Sequence, residues 1–194
     1  MFTGIVQAIG AVERAEVQKL WLRVDPRSWP DPIQLGESIA VQGCCLTVTG
    51  LGEALSFDLS EETLHRTTLG VLSKDMLVNL ERSIRAQDRL GGHFVLGHVD
   101  GVGRLLARQS RNEGEVFRFR GPIEGAKYLV SKGCVAIDGV SLTVVEPDGP
   151  DFDVWLVPHT LAHTTLGGLR VGDRVNVEFD VLAKYVENLG KGRF

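Results

Sequence analysis

The chain repeats itself. Gly43-Cys44-Cys45-Leu46-Thr47-Val48 returns as Gly139-Val140-Ser141-Leu142-Thr143-Val144. Upstream, Ser38-Ile39-Ala40-Val41-Gln42 parallels Cys134-Val135-Ala136-Ile137-Asp138. Downstream, Thr67-Thr68-Leu69-Gly70 parallels Thr164-Thr165-Leu166-Gly167, and Val78-Asn79-Leu80-Glu81 parallels Val175-Asn176-Val177-Glu178. The opening Gly4-Ile5-Val6-Gln7-Ala8-Ile9-Gly10 echoes Gly97-His98-Val99-Asp100-Gly101-Val102-Gly103. Near-constant spacing along the whole length means one fold used twice. The 194 residues are enough for two small domains. The repeat predicts domains at residues 1–90 and 91–180, with a tail at 181–194. Residues 83–92 are polar, end in Gly91-Gly92 and suit a linker.

Both copies read as strands. Ile39-Ala40-Val41, Leu46-Thr47-Val48, Leu55-Ser56-Phe57 and Leu77-Val78-Asn79-Leu80 are short, β-branched and bounded by turn formers. The second copy offers Val135-Ala136-Ile137, Leu142-Thr143-Val144-Val145, Asp153-Val154-Trp155-Leu156-Val157 and Arg174-Val175-Asn176-Val177. Such spacing predicts an all-β chain of small sandwiches or closed barrels, about six short strands per copy. Closure protects the edges of so small a sheet. Helical signal is sparse. Residues 124–131 predict a short helix ended by Gly133. Their counterpart at 28–35 carries Pro30 and Pro32, which allow only a brief one. In the tail, Leu182, Tyr185, Val186 and Leu189 fall at i, i+3, i+4 and i+7, with Gly190 as a C-cap. That stripe suits either a subunit contact or packing onto a barrel.

Composition excludes several classes. The net charge of −4 leaves no electrostatic footprint for nucleic acid or an anionic membrane. The longest runs without Asp, Glu, Lys or Arg, at 38–52 and 154–169, are too short and too polar to span a bilayer. The start lacks the basic and apolar regions of a secretory signal. Three cysteines, two of them adjacent, suggest no disulfide framework. A reducing, cytoplasmic location is expected.

The copies differ where chemistry is possible. Cys45 meets Ser141, Ile5 meets His98, Gly36 meets Lys132, Gln42 meets Asp138, and Glu62 meets His159. The second copy thus gains groups that titrate or carry charge, which fits a protein holding two similar molecules in different roles. A plainer reading stands beside it: Cys45 and Ser141 adjoin Leu-Thr-Val strands and could be small packing residues. Cys44 and Cys134 read as inert core thiols. His93 and His98 are five apart, the wrong spacing for a helical zinc pair, and no Cys-x-x-Cys is present, so no metal is expected. His65 and His163 read as exposed or capping. The glycines at 91, 92 and 97 lack the strand-to-helix context of a phosphate loop.

The set of Met1-Phe2-Thr3-Gly4-Ile5-Val6, Gly43-Cys44-Cys45-Leu46-Thr47-Val48, Gly91-Gly92-His93, Gly97-His98-Val99-Asp100-Gly101 and Asp138-Gly139-Val140-Ser141-Leu142-Thr143-Val144 resembles the riboflavin synthase family, α type. The match runs in order from Met1 to about Asp180. The resemblance implies two tandem six-stranded Greek-key barrels, in a homotrimer joined by C-terminal helices. It implies dismutation of two 6,7-dimethyl-8-ribityllumazine molecules by four-carbon transfer, giving riboflavin and 5-amino-6-ribitylaminouracil without added cofactor or metal. Each barrel would bind one lumazine. The reactive pair would form between the N-terminal barrel of one subunit and the C-terminal barrel of a neighbour. Association with lumazine synthase stays open.

Carried over to this sequence, Gly4, Ile5 and Val6 would line the first pocket with Cys45, Leu46 and Thr47. Residues 58–63, with Asp58, Glu62 and Thr63, would bond the ring and ribityl chain. Gly97, His98 and Val99 would line the second pocket with Lys132, Ser141, Leu142 and Thr143. Leu156, Val157, Pro158, His159, Thr160 and Leu161 would complete it. His98 and Ser141 are expected to move protons or activate the nucleophile, with Thr143 assisting. Cys45 is the candidate nucleophile of the other barrel. Asp180 is a candidate interface carboxylate, and the Phe2 ring a candidate stacking partner. Two departures stand out: the C-terminal helix is short, and residue 159 is His where some relatives have Glu. The alternative is a non-catalytic lumazine- or flavin-binding protein of the same superfamily, whose second-barrel motifs should have decayed. A barrel without a ligand is a third reading, disfavoured by the reactive differences between copies.

Overall fold

The computed structural model describes residues 1–191. The last three residues of the expected 181–194 segment lie outside the described residues.

The first copy builds β1 (Ala8–Glu16), β2 (Lys19–Arg23), β3 (Ser38–Val41), β4 (Cys44–Gly50), β5 (Leu55–Asp58), α1 (Glu61–Arg66) and β6 (Leu77–Arg82). Its strands close a barrel in the ring order β1-β2-β5-β4-β3-β6, with every neighbour antiparallel. Strand β4 shows why the sequence permits this. Cys44, Leu46 and Val48 turn into the barrel, while Cys45, Thr47 and Thr49 face outward.

The second copy repeats the path with β7 (Gly101–Arg111), β8 (Gly114–Arg120), β9 (Cys134–Ile137), β10 (Val140–Thr143), β11 (Val145–Asp148), β12 (Asp151–Leu156), α2 (Pro158–His163) and β13 (Arg174–Phe179). It is a curled seven-stranded sheet, ordered β10-β9-β13-β7-β8-β12-β11, rather than the six-stranded closed barrel expected. Strands β10 and β11 together occupy the place of β4. The two are separated at Val144. Within β11, Glu146 takes a left-handed φ of 45° and the ladder to β12 shifts register between Val145 and Asp148, as β4 shifts against β5 between Val48 and Gly50.

Each copy has its own core. The first is mostly aliphatic, around Leu20, Leu22, Ile39, Leu69 and Leu80. The second is aromatic, with Phe117, Phe119, Phe152 and Phe179 fully buried or nearly so. Helices α1 and α2 follow β5 and β12 at matching places. Ser60 caps α1, its Oγ accepting from the Thr63 N–H, and Pro158 starts α2. Neither was expected, because six residues are too few to show a helical period. Residues expected as a helix at 124–131 form a 3-10 segment, Ile123–Tyr128, and a second one, Pro26–Ser28, stands near the counterpart. The tail forms α3 (Val181–Gly190), capped by the Asp180 carboxylate on the Leu182 N–H.

The copies meet across a seam with approximate twofold symmetry. Gly43 and Gly139 face each other with φ of 76° and 80°. A Cβ on Gly43 would lie 2.6 Å from the Gly139 nitrogen. The Asn79 amide donates to the Asp138 carbonyl (2.9 Å), and the Asn176 amide to the Gln42 carbonyl (2.8 Å). In return, Asn79 Oδ1 accepts from the Thr165 N–H and Asn176 Oδ1 from the Thr68 N–H. Phe2, Ala40, Val95 and Ala136 fill the seam, with Phe2 and Val95 bridged through their backbones.

Candidate active site

Sequence equivalence pairs Gly4-Ile5-Val6 with Cys45 and Gly97-His98-Val99 with Ser141. The structure crosses these pairs. The Gly4 carbonyl accepts from the Ser141 N–H at 2.8 Å, and the Gly97 carbonyl from the Cys45 N–H at 2.8 Å. Val6 packs on the second core and Val99 on the first. The expected lining sets are therefore exchanged: residues 4–6 belong with Ser141 and residues 97–99 with Cys45. The cause is the seam. Phe2 and Val95 run antiparallel there, so each strip passes over onto the other copy.

Close backbone approach enforces the crossing. A Cβ on Gly4 would lie 2.6 Å from the Ser141 Cβ, and one on Gly97 would lie 2.5 Å from the Cys45 Cβ. Both glycines also hold positive φ, 77° and 78°.

The candidate reactive residues stand on the outer faces of the two sheets. Cys45 and Ser141 are half-buried there, Thr47 and Thr143 exposed. Leu46, Leu142 and Leu156 are buried in the cores, so only their backbone can reach a ligand. Ile5, His98, Lys132, Asp58, Glu62, Val157, Pro158 and His159 are exposed around these strands, while Thr63, Thr160 and Leu161 are partly covered. Lys132 holds a left-handed φ of 67°, where its counterpart Gly36 has 83°. A lysine kept in a conformation suited to glycine costs about 1–2 kcal/mol. Both residues donate N–H to the equivalent strand, Lys132 to the Val144 carbonyl and Gly36 to that of Val48.

Two expectations change. Phe2 is fully buried in the seam and does not face a ligand. His98 is exposed on the strip facing Cys45, and another histidine serves Ser141. His93 Nδ1 lies 2.7 Å from Ser141 Oγ. His93 is 7% exposed, and its Nε2 is buried without a hydrogen-bond partner among the described residues. Burial pushes its pKa below the ordinary histidine value, and the Asp180 carboxylate pulls it back up. The ring is thus kept neutral and able to accept a proton. The sequence signal for His93 was the glycine pair before it: a Cβ on Gly92 would collide with the Thr3 carbonyl and Ser141.

Cys44 is buried as expected, and burial pushes it up to about 12, helped by Cys45 and Glu178. Cys134 is half-buried rather than a core thiol, though burial raises it as well. His65 and His163 are exposed, and His163 Nδ1 sits 2.8 Å from the His159 carbonyl. Cavities of about 400 and 420 Å³ flank Trp29, and neither is lined by Cys45 or Ser141. The face bearing Ser141 and Thr143 is open in a single chain.

Known proteins resemble this chain in sequence and fold. The family described as lumazine binding domain matches residues 3–83 and 96–180. A riboflavin synthase of Mycobacterium bovis (strain ATCC BAA-935 / AF2122/97) is 45% identical, over 97% of this chain and 98% of that protein. A riboflavin synthase of Brucella abortus (strain 2308) is 41% identical, over 98% of both. The solved structure of LumP complexed with riboflavin superposes with a TM-score of 0.83 at 25% identity, covering 92% of this chain and 99% of that one. With two lumazine-binding repeats in register and near-complete matches to those enzymes, the chain belongs to the riboflavin synthase family.

Proposed function

We propose that the protein is a riboflavin synthase that joins two molecules of 6,7-dimethyl-8-ribityllumazine. One molecule gives a four-carbon unit to the other, leaving riboflavin and 5-amino-6-ribitylaminouracil; every atom of the two substrates is accounted for in the products. The observation that carries this reading is the part-buried His93–Ser141 pair, found among the described residues in one copy only.

The chemistry needs a base and a nucleophile. The 7-methyl group of the lumazine is acidic because its carbanion delocalises into the electron-poor ring. A neutral His93 can take a proton from Ser141 Oγ, or through it from the substrate. Asp180, whose charge favours protonated His93, steadies the imidazolium that results. Cys45 holds the equivalent place in the other copy, and Lys132 adds a charge where the first copy has Gly36. Most of the remaining work is alignment, worth up to about 7–11 kcal/mol.

Each open outer face needs a second chain to close over its ligand. The proposed source is a homotrimer. Helix α3 leaves Leu182, Tyr185, Val186 and Leu189 exposed, Tyr185 at 66% and Val186 at 68%. Free cysteines fit the reducing, cytoplasmic location that belongs to this reading.

Purified protein given the lumazine should produce riboflavin absorbance and the aminouracil in equal amounts, with no added metal or nucleotide. Tight binding without turnover would favour the second reading, a lumazine- or flavin-binding protein, which the likeness to LumP supports. Identity of 45% to a synthase against 25% to LumP supports the enzyme.

A further inference from the structure

We propose that Glu81 and Glu178 are crossed positioning residues: each carboxylate stands in one barrel and sets the wall of the reactive site in the other. Both end the Val-Asn-x-Glu runs on β6 and β13 and are only 4% exposed. A buried carboxylate is costly unless its lone pairs are taken. Here they are taken by backbone. Glu81 Oε1 accepts from the Thr3 N–H (2.7 Å) and hydroxyl (2.8 Å), and Oε2 from the Gly4 N–H (2.9 Å). Glu178 Oε1 accepts from the Leu96 N–H (2.7 Å), and Oε2 from the Gly97 N–H (2.9 Å).

The next link lies across the seam. Held by Glu81 of the first barrel, Gly4 receives the Ser141 N–H, and the Thr3 carbonyl receives the His93 N–H at 3.1 Å. Both members of the His93–Ser141 pair therefore hang on the strip that Glu81 clamps. Held by Glu178 of the second copy, Gly97 receives the Cys45 N–H of the first. Because Gly4 and Gly97 touch Ser141 and Cys45 with no room for a Cβ, a shift of either strip displaces the reactive residue directly.

The chemistry demands an acid at these places. Every group aimed at the carboxylates is a donor, and a carboxylate only accepts. Glutamine keeps the shape but turns an NH2 toward a backbone N–H, so the strip must move.

The inference rests on the synthase reading for its importance, but its test does not need turnover. Glu81→Gln and Glu178→Gln are made in the full chain. Two readouts follow: the alkylation rate of Cys45 by iodoacetamide, mapped by peptide mass, and the pH titration of the His93 ring by NMR. Cys45 can be read selectively because burial raises both other thiols. Glu178→Gln should change the Cys45 rate by about tenfold and leave His93 unmoved. Glu81→Gln should shift the His93 midpoint by about half a pH unit or more and leave the Cys45 rate within about twofold. If either glutamine variant fails to fold, the Glu→Asp pair, still acceptor-only but shorter, is read the same way. A carboxylate that only supports its own barrel gives the opposite pattern, with Glu81→Gln reaching Cys45. That pattern, equal effects on both sites, or none, overturns the proposal. Absent riboflavin formation with the crossed pattern intact would sink the enzyme reading alone.

Discussion

Replacing Asp138 by Asn should change how stability depends on pH. Asp138 is 2% exposed on the seam, where its Oδ1 accepts from the Asn176 N–H at 2.8 Å. Burial pushes its carboxyl from the ordinary 3.8 up to about 7, opposed only by that hydrogen bond. The sign follows from the two end states. Below 3.8, folded and unfolded chains both hold the proton and the stability contribution is fully present. From there to about 7, the unfolded chain ionises while the folded one keeps its proton, so stability falls as pH rises. The gap of about three pH units is worth at most about 4 kcal/mol, at about 1.36 kcal/mol per unit. Asparagine keeps an acceptor for the Asn176 N–H and does not titrate. The first copy already has such a neutral residue, Gln42, whose Oε1 takes the Asn79 N–H at 2.7 Å. The assay is guanidinium denaturation of both proteins from pH 4 to 8 at one protein concentration, since assembly shifts apparent stability. Glu81 and Glu178, also raised by burial, contribute to both proteins and cancel in the difference. The variant should gain on the wild type steadily with pH, by up to about 4 kcal/mol. Parallel curves across that range would refute the reasoning, whatever the absolute stabilities.

Gly43→Ala should destabilise by about 1–2 kcal/mol for its left-handed backbone, with about 1–3 more for crowding Gly139, read as a lowered Tm. Phe2→Ala should cost about 3–5 kcal/mol in chemical denaturation, as expected of a filled core site; unchanged stability with weaker ligand binding would restore the stacking role. His93→Gln should lower kcat by about 10²–10⁴ with ligand affinity nearly kept, measured by steady-state kinetics and fluorescence titration. In the wild type the acid limb of kcat/KM should fall below 6.5, histidine's ordinary value, because burial keeps His93 neutral.

The later strands of each copy and the pairing of the copies were legible because β-pleat and burial leave a period in the residues, as in Cys44, Leu46 and Val48; β1, β2, β7 and β8, whose patterns charged residues interrupt, were not. The equivalence of Cys45 and Ser141 was legible for the same reason. What could not be read was which surface each strip touches. Alignment reports that Gly4 corresponds to Gly97; it carries no trace of a seam that sends both strips across. Equivalence alone puts His98 beside Ser141 and gives no sign of His93, whose 2.7 Å contact joins residues 48 apart. The split of β10 from β11 falls at Val144, inside a segment whose sequence matches the unbroken β4, so the pattern holds no sign of it. Helices α1 and α2 are fixed by a cap and a proline, signals too brief to compete with the surrounding strands.

The crossing strips also say what half of this molecule is. Each copy carries an arm that fits a receptor surface it does not itself own. The two halves stand to each other as the protomers of an arm-exchanged dimer with an isologous contact, here joined by covalent linkage. A first half by itself presents Gly4 to no Ser141 and leaves Cys45 without Gly97. Linkage frees the two receptors to differ while the arms stay interchangeable in shape. A self-associating single repeat has to carry Cys or Ser in both places at once; the fused chain keeps one of each.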